Sequence, residues 1–598
     1  MSFAYLASSE WEASTMAAAD SVEGILTEIG FGRWQGLVLV ASLLLHATGP
    51  AQQVGSTLFS APVPFRCSHL NSSTHSPSVA DDTDNKRTTT DEDLLYDFPS
   101  QCLQEIYTPV SDAGPYINRA LPDGVSKISL SQKATGLPSC PLIEYDFSTF
   151  DSTVISEWNL VCEDSSFRPL FQMTYSIGAI LGCLFCGQMS DWLGRKRTLQ
   201  IGGLLTLVTV IITSISPWYW GVIFVRILSG TGTILMLFPM YTLISEISPP
   251  SQRTITAMLP GLIYFLFMAV LAGVSYILPH WRKLIIACNT PLLLFVPITF
   301  LIDESPRWLL QKGRSTEAVD ILKKAASQNK VILSSASSVT LDKLSQMSKD
   351  IVTEKFQGNG NSTDDISTCQ MLTACVKSRG MRTILFVTPF MWLLKRSLYI
   401  GIILNANNFT SSNPFEYVAL SGTMGVVAIL ISIPLTLKLP RRTLLAGTLA
   451  FGGILLFLEL PVPAEYWWAK WIMVMASFCL VCGAFQVNYL FLTELFPTVI
   501  RTRGFTFTNL VGSLGEMSTP VVTDIAVQYQ WWAPSFTFGL AGIMGGALVL
   551  LLPETKDKPL PETLQDAEDR YWLSHKGIEE EVTTISKDTA KRKEAFQV

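Results

Sequence analysis

Charge is scarce in this sequence: Asp, Glu, Lys and Arg make up 15% of the 598 residues against 48% hydrophobic side chains. That balance excludes a string of soluble domains and makes lipid the solvent. Histidine is scarcer still, with five residues and none at metal-ligand spacing, which excludes a histidine-built metal centre. There is no Gly-x-x-x-x-Gly-Lys-Ser/Thr phosphate loop, which argues against an ATP-driven pump, and no Gly-x-Ser-x-Gly elbow, which argues against an intramembrane hydrolase. A basic N-terminal region leading into an apolar core is missing too, since residues 1–33 hold acidic residues, so the first apolar run is expected to serve as its own insertion signal. No enzymatic activity, cofactor, metal or nucleic-acid partner is expected.

What the chain does have is a series of apolar runs of about twenty residues, enough to cross a ~30 Å hydrocarbon core at ~1.5 Å per residue. Twelve are read, at 34–58, 167–189, 198–216, 219–246, 255–278, 282–302, 383–405, 415–437, 442–460, 466–493, 504–526 and 532–552. The expected fold is an all-α membrane protein of twelve transmembrane helices in two six-helix bundles, 34–302 and 383–552. Between them lies a polar stretch, 303–382, whose Ser334-Ser335-Ala336-Ser337-Ser338 and Gly358-Asn359-Gly360-Asn361 suit a helical or partly disordered linker. Residues 1–33 and 553–598 are the two terminal segments.

Charge sets the orientation. The linker holds twelve Lys and Arg, whereas the long loop at 59–166, within the first bundle, holds sixteen Asp and Glu against six Lys and Arg. Positive loops stay inside, so linker and both termini are expected in the cytoplasm and the acidic loop outside, with the plasma membrane as the location. Arg282-Lys283 is an exception placed at an outer edge. Four of the eleven cysteines, Cys67, Cys102, Cys140 and Cys162, fall in the outer loop, an even set for two disulfides with three possible connectivities. Asn71-Ser72-Ser73 is a glycosylation sequon on the same loop; Asn408-Phe409-Thr410 lies too near the bilayer, and Asn361-Ser362-Thr363 falls on the cytoplasmic side.

The most informative segment is Gly187-Gln188-Met189-Ser190-Asp191-Trp192-Leu193-Gly194-Arg195-Lys196-Arg197, a tight turn between two spans with three consecutive cations and an acidic partner. The stretch from Phe150 through Arg197 that contains it strongly resembles the organic cation, anion and carnitine transporters (solute carrier family 22) of the major facilitator superfamily. Glu304-Ser305-Pro306-Arg307-Trp308-Leu309-Leu310, Glu494-Leu495-Phe496-Pro497-Thr498 through Gly504, and Leu552-Pro553-Glu554-Thr555-Lys556 agree in order and spacing. Sugar carriers of the superfamily share versions of these motifs, and the long cysteine-bearing outer loop separates the organic-ion group from them. The resemblance covers roughly residues 34–560 and implies the major facilitator fold, with one central site reached alternately from each face.

The motifs read physically as gates. Asp191 with Arg195, Glu304 with Arg307, and Glu494 with Arg501 sit at helix ends where ion pairs and helix dipoles close a face; the plainer alternative is loop anchoring. In the second half Leu437-Lys438-Leu439-Pro440-Arg441-Arg442 has lost the acidic residue and glycine of the equivalent turn, so the two gates are expected to be unequal.

Lys395 and Arg396 lie inside the seventh span. Position 395 is about twelve residues from the cytoplasmic end, ~18 Å at ~1.5 Å per residue, close to the midplane. A cation there costs roughly 2.5 to 3.5 kcal/mol on insertion scales, so it faces a cavity or a partner. Neighbouring positions on a helix are ~100° apart; the reading favours Lys395 inward, with an ion pair to Glu516 of the eleventh span as the structural alternative. Two cations and one carboxylate sum to +1, which favours an anion or zwitterion.

In the resembled family, cation carriers tend to hold acidic residues in spans seven and eleven and anion carriers a cation in span eleven. Lys395 and Ser513 stand there, so neither pattern is complete. Trp392 and Tyr399 share a face, and the resemblance places aromatics at matching positions around the central cavity; Tyr264, Gln486, Tyr489 and Tyr175 are candidates to complete it, with helix packing as the equal alternative for each taken singly. Gln486 precedes Glu494 by eight residues, as the family's cavity glutamine does, whereas Arg226 resembles a structural arginine. The expected function is transport of a small organic ion by uniport or exchange, favouring anions or zwitterions. An organic cation or carnitine carrier is the alternative, since Glu516 and an aromatic wall suit a quaternary ammonium. A receptor or scaffold that keeps the carrier fold without turnover is the reading from another class.

Overall fold

The computed structural model describes residues 22–67, 143–249, 251–341, 378–404, 414–497, 501–526 and 530–556, with isolated positions at 344, 561, 567–569, 571 and 572. Twelve long helical segments carry it: α1 (Arg33–Gln53), α2 (Leu170–Leu193), α3 (Arg195–Ile215), α4 (Tyr219–Ile247), α5 (Arg253–Ile277), α6 (Trp281–Asn289 continued as Pro291–Leu301), α7 (Arg379–Leu404), α8 (Pro414–Lys438), α9 (Arg441–Glu459), α10 (Trp467–Leu495), α11 (Arg501–Pro520) and α12 (Ala533–Val549). Among the described residues nine helices are long and apolar enough to cross a membrane, ten if Val22–Ile29 and Arg33–Gln53 form one bent span. The other two fall short for different reasons. Helix α12 is short, and α11 is polar, but its Thr508, Asn509, Ser513, Glu516 and Thr519 are all buried, so its polarity faces protein.

The packing repeats itself. In the first half α1 packs on α5 and α6, α2 and α3 on α4, and α3 on α6. Adding six to each number gives the second half: α7 on α11 and α12, α8 and α9 on α10, and α9 on α12. The two main contacts between halves, α2 on α11 and α5 on α8, exchange under the same shift. Small residues permit the closest approaches. A Cβ on Gly178 of α2 would stand 2.0 Å from the Ile227 carbonyl oxygen of α4, and one on Gly230 of α4 would stand 2.1 Å from that of Tyr175.

Part of the expected linker is folded against the first half. Helix Ser315–Asn329 buries Val319, Leu322, Ala325 and Ala326 in one cluster with Val22, Ile25, Leu26 and Ile29 of the helix before α1. Asn329 Oδ1 accepts from the Trp34 N–H at 3.1 Å, and its Nδ2 donates to Gln35 Oε1 at 2.9 Å. On the opposite face, Phe65–Cys67 pairs antiparallel with Ile143–Tyr145. Arg282, at the start of α6, pairs with Glu157 and donates to the Ser214 carbonyl at 3.0 Å, on the same face as that strand pair. Asn71, Cys102 and Cys140 lie outside the described residues, as do the side chains of Cys67 and Cys162 and the sequons at 361 and 408.

Candidate functional site

Lys395 on α7 is fully buried. Its ammonium stands 3.3 Å from the ring centroid of Trp392, one turn earlier, 4.0 Å from that of Phe485 and 5.7 Å from that of Tyr489, both on α10. Among the described residues Nζ has no hydrogen-bond partner. Desolvated cation–π contact is worth about 2 kcal/mol or more, comparable with the roughly 2.5 to 3.5 kcal/mol cost of a mid-membrane cation, so the rings offset most of that cost. The cage walls are themselves packed from behind. Tyr399, two turns along α7, meets Phe485 at 5.0 Å and stacks on Phe478 at 5.8 Å, and Trp392 fills the space left by Gly512 of α11, where a Cβ would lie 2.0 Å from its Cδ1.

Arg396, one position on, turns to a different neighbour. Its Nε donates to Glu516 Oε2 of α11 at 2.6 Å, with both side chains buried. The carboxylate thus matches Arg396, and Lys395 is the member of the trio left without an acidic partner among the described residues. Glu516 Oε1 has no hydrogen-bond partner among the described residues.

The first half closes over this layer with rings of its own. Tyr241 of α4 stacks on Tyr489 at 5.4 Å, Phe238 of α4 meets Phe505 of α11 at 5.5 Å, and Phe265 of α5 meets Tyr399 at 6.4 Å. His46 of α1 holds Tyr241 at 2.9 Å through Nε2. Its Nδ1 must donate to the Ser42 carbonyl at 2.7 Å, so in the neutral ring Nε2 accepts from the phenol. Tyr264 donates to Gln53 Oε1 at 3.1 Å, and the Gln486 amide lies against α5 where Gly261 leaves room, a Cβ there falling 2.2 Å from Nε2.

The structure therefore brings Trp392, Lys395, Tyr399 and Tyr489 into one cluster, with Arg396 and Glu516 beside it. Ser513 is buried and donates along its own helix to the Asn509 carbonyl at 3.0 Å, facing α2 rather than the ring cluster through a side-chain hydrogen bond with Cys183. Tyr175 lies under Arg226, which stacks at 5.1 Å on it and at 4.4 Å on Phe171 and donates to the Phe171 carbonyl at 3.4 Å, a packing role. Sequence reading missed Phe485, Tyr241, Phe505 and His46. The seven-residue spacing of Phe478 and Phe485, like that of Trp392 and Tyr399, was a signal that two helices offer ring faces.

Ionic clusters occupy the end where α2 meets α3. Arg195 reaches Asp191 and Glu246 at 3.3 Å each, joining the ends of α2 and α4. The pairing expected for Glu304 is different here. Its Oε1 accepts from the backbone N–H groups of Arg195 at 2.9 Å and Lys196 at 3.1 Å, capping the positive end of α3, while Arg307 pairs with Glu23 at 3.1 Å. The reason is local: Ser305 and Pro306 start a new helix, which carries Arg307 away toward the N-terminal segment. Gly194, at φ +98°, makes the approach possible, since a Cβ would fall 2.3 Å from Glu304 Oε2. Burial pushes the Glu304 carboxyl up, opposed by the N–H groups of Ser305, Lys196 and Arg195.

The second half repeats the scheme six helices on. Glu554 accepts from the N–H groups of Arg441 at 2.9 Å and Arg442 at 3.0 Å, and Glu494 pairs with Arg441. The turn lacks an acidic residue of its own, yet Arg441 finds one on α10, so the halves differ by the Asp191 contact rather than by a missing cluster. The Arg501 side chain lies outside the described residues. These pairs each join elements of one half.

The helix pairing repeated about an axis between two six-helix halves, with buried ions and rings at their interface, is the fold of the major facilitator superfamily. The solved E. coli proton:xylose symporter shares it at TM-score 0.52 and 17% identity, over 68% of this chain and 90% of that one. Residues 142–566 match the family model described as sugar (and other) transporter. Solute carrier family 22 member 1 of Bos taurus is 29% identical over 92% of this chain and 93% of its own, and organic cation/carnitine transporter 2 of Homo sapiens is 30% identical over 70% and 72%. The chain belongs to the organic cation, anion and carnitine transporter family, solute carrier family 22, within the sugar (and other) transporters: a multi-pass membrane transporter, not an enzyme.

Proposed function

We propose that this chain carries small organic ions by alternating access, as uniporter or exchanger, with a preference for anions or zwitterions. One observation carries the preference: Lys395 is a buried ammonium with no acidic partner among the described residues, beside an Arg396 already matched by Glu516. An incoming carboxylate supplies the opposite charge that the site lacks. Trp392, Tyr399, Tyr264, Gln486 and Tyr489 form the wall against which its apolar part packs, and Ser513 lines α11 behind them. The ionic clusters of Arg195 with Asp191, Glu246 and Glu304, and of Arg441 with Glu494 and Glu554, hold each half rigid while the halves move; Arg307 ties the first half to the N-terminal segment through Glu23, and Arg501 is assigned to the second-half gate from the sequence motif. We place the protein in the plasma membrane with both termini and residues 303–382 in the cytoplasm; Asn71 carries glycan, and Cys67, Cys102, Cys140 and Cys162 form two disulfides.

The test is uptake of benzoate and of a quaternary ammonium dye by cells expressing wild type or Lys395→Ala, against vector. Benzoate uptake that falls in the variant supports the anion reading; ammonium uptake alone in wild type ends it. A cation or carnitine carrier is the second reading, favoured by the ring cluster, by Glu516 and by a relative named organic cation/carnitine transporter 2.

A further inference from the structure

Three rings surround one ammonium, and the ammonium belongs to the protein. Trp392, Phe485 and Tyr489 stand 3.3, 4.0 and 5.7 Å from Lys395 Nζ, the arrangement by which aromatic cages hold free quaternary ammonium ions. The rings do not depend on the lysine for their positions. Tyr489 is stacked on Tyr241, Phe485 packs tilted against Tyr399 at 5.0 Å, and Trp392 is seated over Gly512. We propose that Lys395 is a tethered occupant of a cation cage, and that its side chain is what excludes free organic cations from a site otherwise built to take them.

Tethering makes the exclusion effective. Lys395 leaves the same helix as Trp392, three residues on, so its ammonium returns to the cage as an intramolecular ligand, at an effective concentration in the millimolar range or above. A cation from solution must displace it and also enter a site of net positive charge. Without the lysine, Arg396 and Glu516 remain and cancel at 2.6 Å, leaving an uncharged, ring-lined space the size of an ammonium group. The inference rests on the reading of this chain as an organic-ion carrier that prefers anions, and gives that preference a structural cause.

Tetramethylammonium, small enough for three rings, is the probe. Its uptake is measured for wild type, Lys395→Ala and Lys395→Met, each corrected for surface expression, and the melting temperature of each purified full-length chain is taken with and without it. Methionine removes the charge but fills the space. Lys395→Ala is expected to take up tetramethylammonium at least about fivefold above vector and to melt higher in its presence, while wild type and Lys395→Met do neither. Adding Trp392→Leu to Lys395→Ala abolishes both gains. If Lys395→Ala does not reach the surface, Lys395→Ser takes its place.

The proposal falls if the surface-expressed small-residue variant neither binds nor carries the probe, or if Lys395→Met gains as much. A purified Lys395→Ala chain stabilised by the probe, with no variant or wild type transporting anything, leaves the cage standing and removes the carrier reading. Benzoate uptake by wild type with no probe response in the variant does the reverse.

Discussion

At 2.6 Å and out of reach of water, the Arg396–Glu516 pair cannot lose one member cheaply. Removing one partner of a buried pair leaves an uncompensated charge and costs about 3–5 kcal/mol, whereas replacing both with apolar groups of similar volume is often neutral. Glu516→Gln and Arg396→Met should each lower the melting temperature in detergent, and Arg396→Met with Glu516→Leu should recover most of it. A double variant no more stable than either single one would show that the pair does not act as a unit. Gly512→Ala is a second residue-scale test. Its new methyl overlaps Trp392, so it should cost about 1–3 kcal/mol and reduce uptake, where Gly447→Ala, with open space around its Cβ, should change neither. Lys395, Arg396 and Glu516 were legible in the sequence because an ion deep in an apolar run has a cost that demands an explanation. Which cation takes Glu516 was not, since that depends on how α7 crosses α11. Tyr241 and Phe505 were invisible for the opposite reason, that an aromatic in a membrane helix has no cost that marks it, and Phe485 was marked only by its seven-residue spacing from Phe478.

Helix ends carry the next scale of argument. Helices α3 and α9 each begin with N–H groups that have no partner within the helix and donate instead to a carboxylate from far along the chain, Glu304 and Glu554. Glu304→Gln and Glu554→Gln keep the shape and remove the charge, and each should lower the melting temperature by an amount corresponding to about 0.3–2 kcal/mol. Unequal losses would show how far the Asp191 contact compensates in the first half. The sequence showed the missing acid in the second-half turn but not its replacement, because Glu494 and Glu554 reach Arg441 only once α9, α10 and the segment after α12 are packed. The helix at 22–29 offers a pH test. Ser337 and Ser334 donate to Glu28, at 3.2 Å for the Ser334 hydroxyl, and these bonds, that of Ser337 foremost, hold the carboxyl below its ordinary 4.5. A depressed carboxyl contributes stability above its unfolded value and loses it as pH falls through the folded one. Spin labels at the exposed Thr27 and Ser338 should report a fixed distance at pH 7 that broadens below pH 4.5, and Glu28→Gln should broaden it at both.

The repeat by six governs the whole molecule. Twelve runs and a polar stretch after the sixth were enough to expect two bundles, but the sequence said nothing of which helices touch. It also counted 504–526 among the apolar runs, although the polar face of α11 is buried against α7 and α2. Contacts between halves are concentrated on α2 with α11 and α5 with α8, and the ionic clusters stay within a half, so a rocking motion breaks the first set and leaves the second intact. Gly187 of α2 faces Thr506 of α11, its Cβ position 3.7 Å from the threonine Oγ1, close enough for a disulfide between cysteines at the two sites. In a Gly187→Cys, Thr506→Cys chain, oxidation should abolish uptake and a reducing agent should restore it, because the link holds together surfaces that must part to open that face. Both single variants should transport whatever the redox condition. A cross-linked chain that still carries substrate at the wild-type rate would mean that α2 and α11 stay together throughout the cycle, and the halves would then have to move about the α5–α8 contact alone.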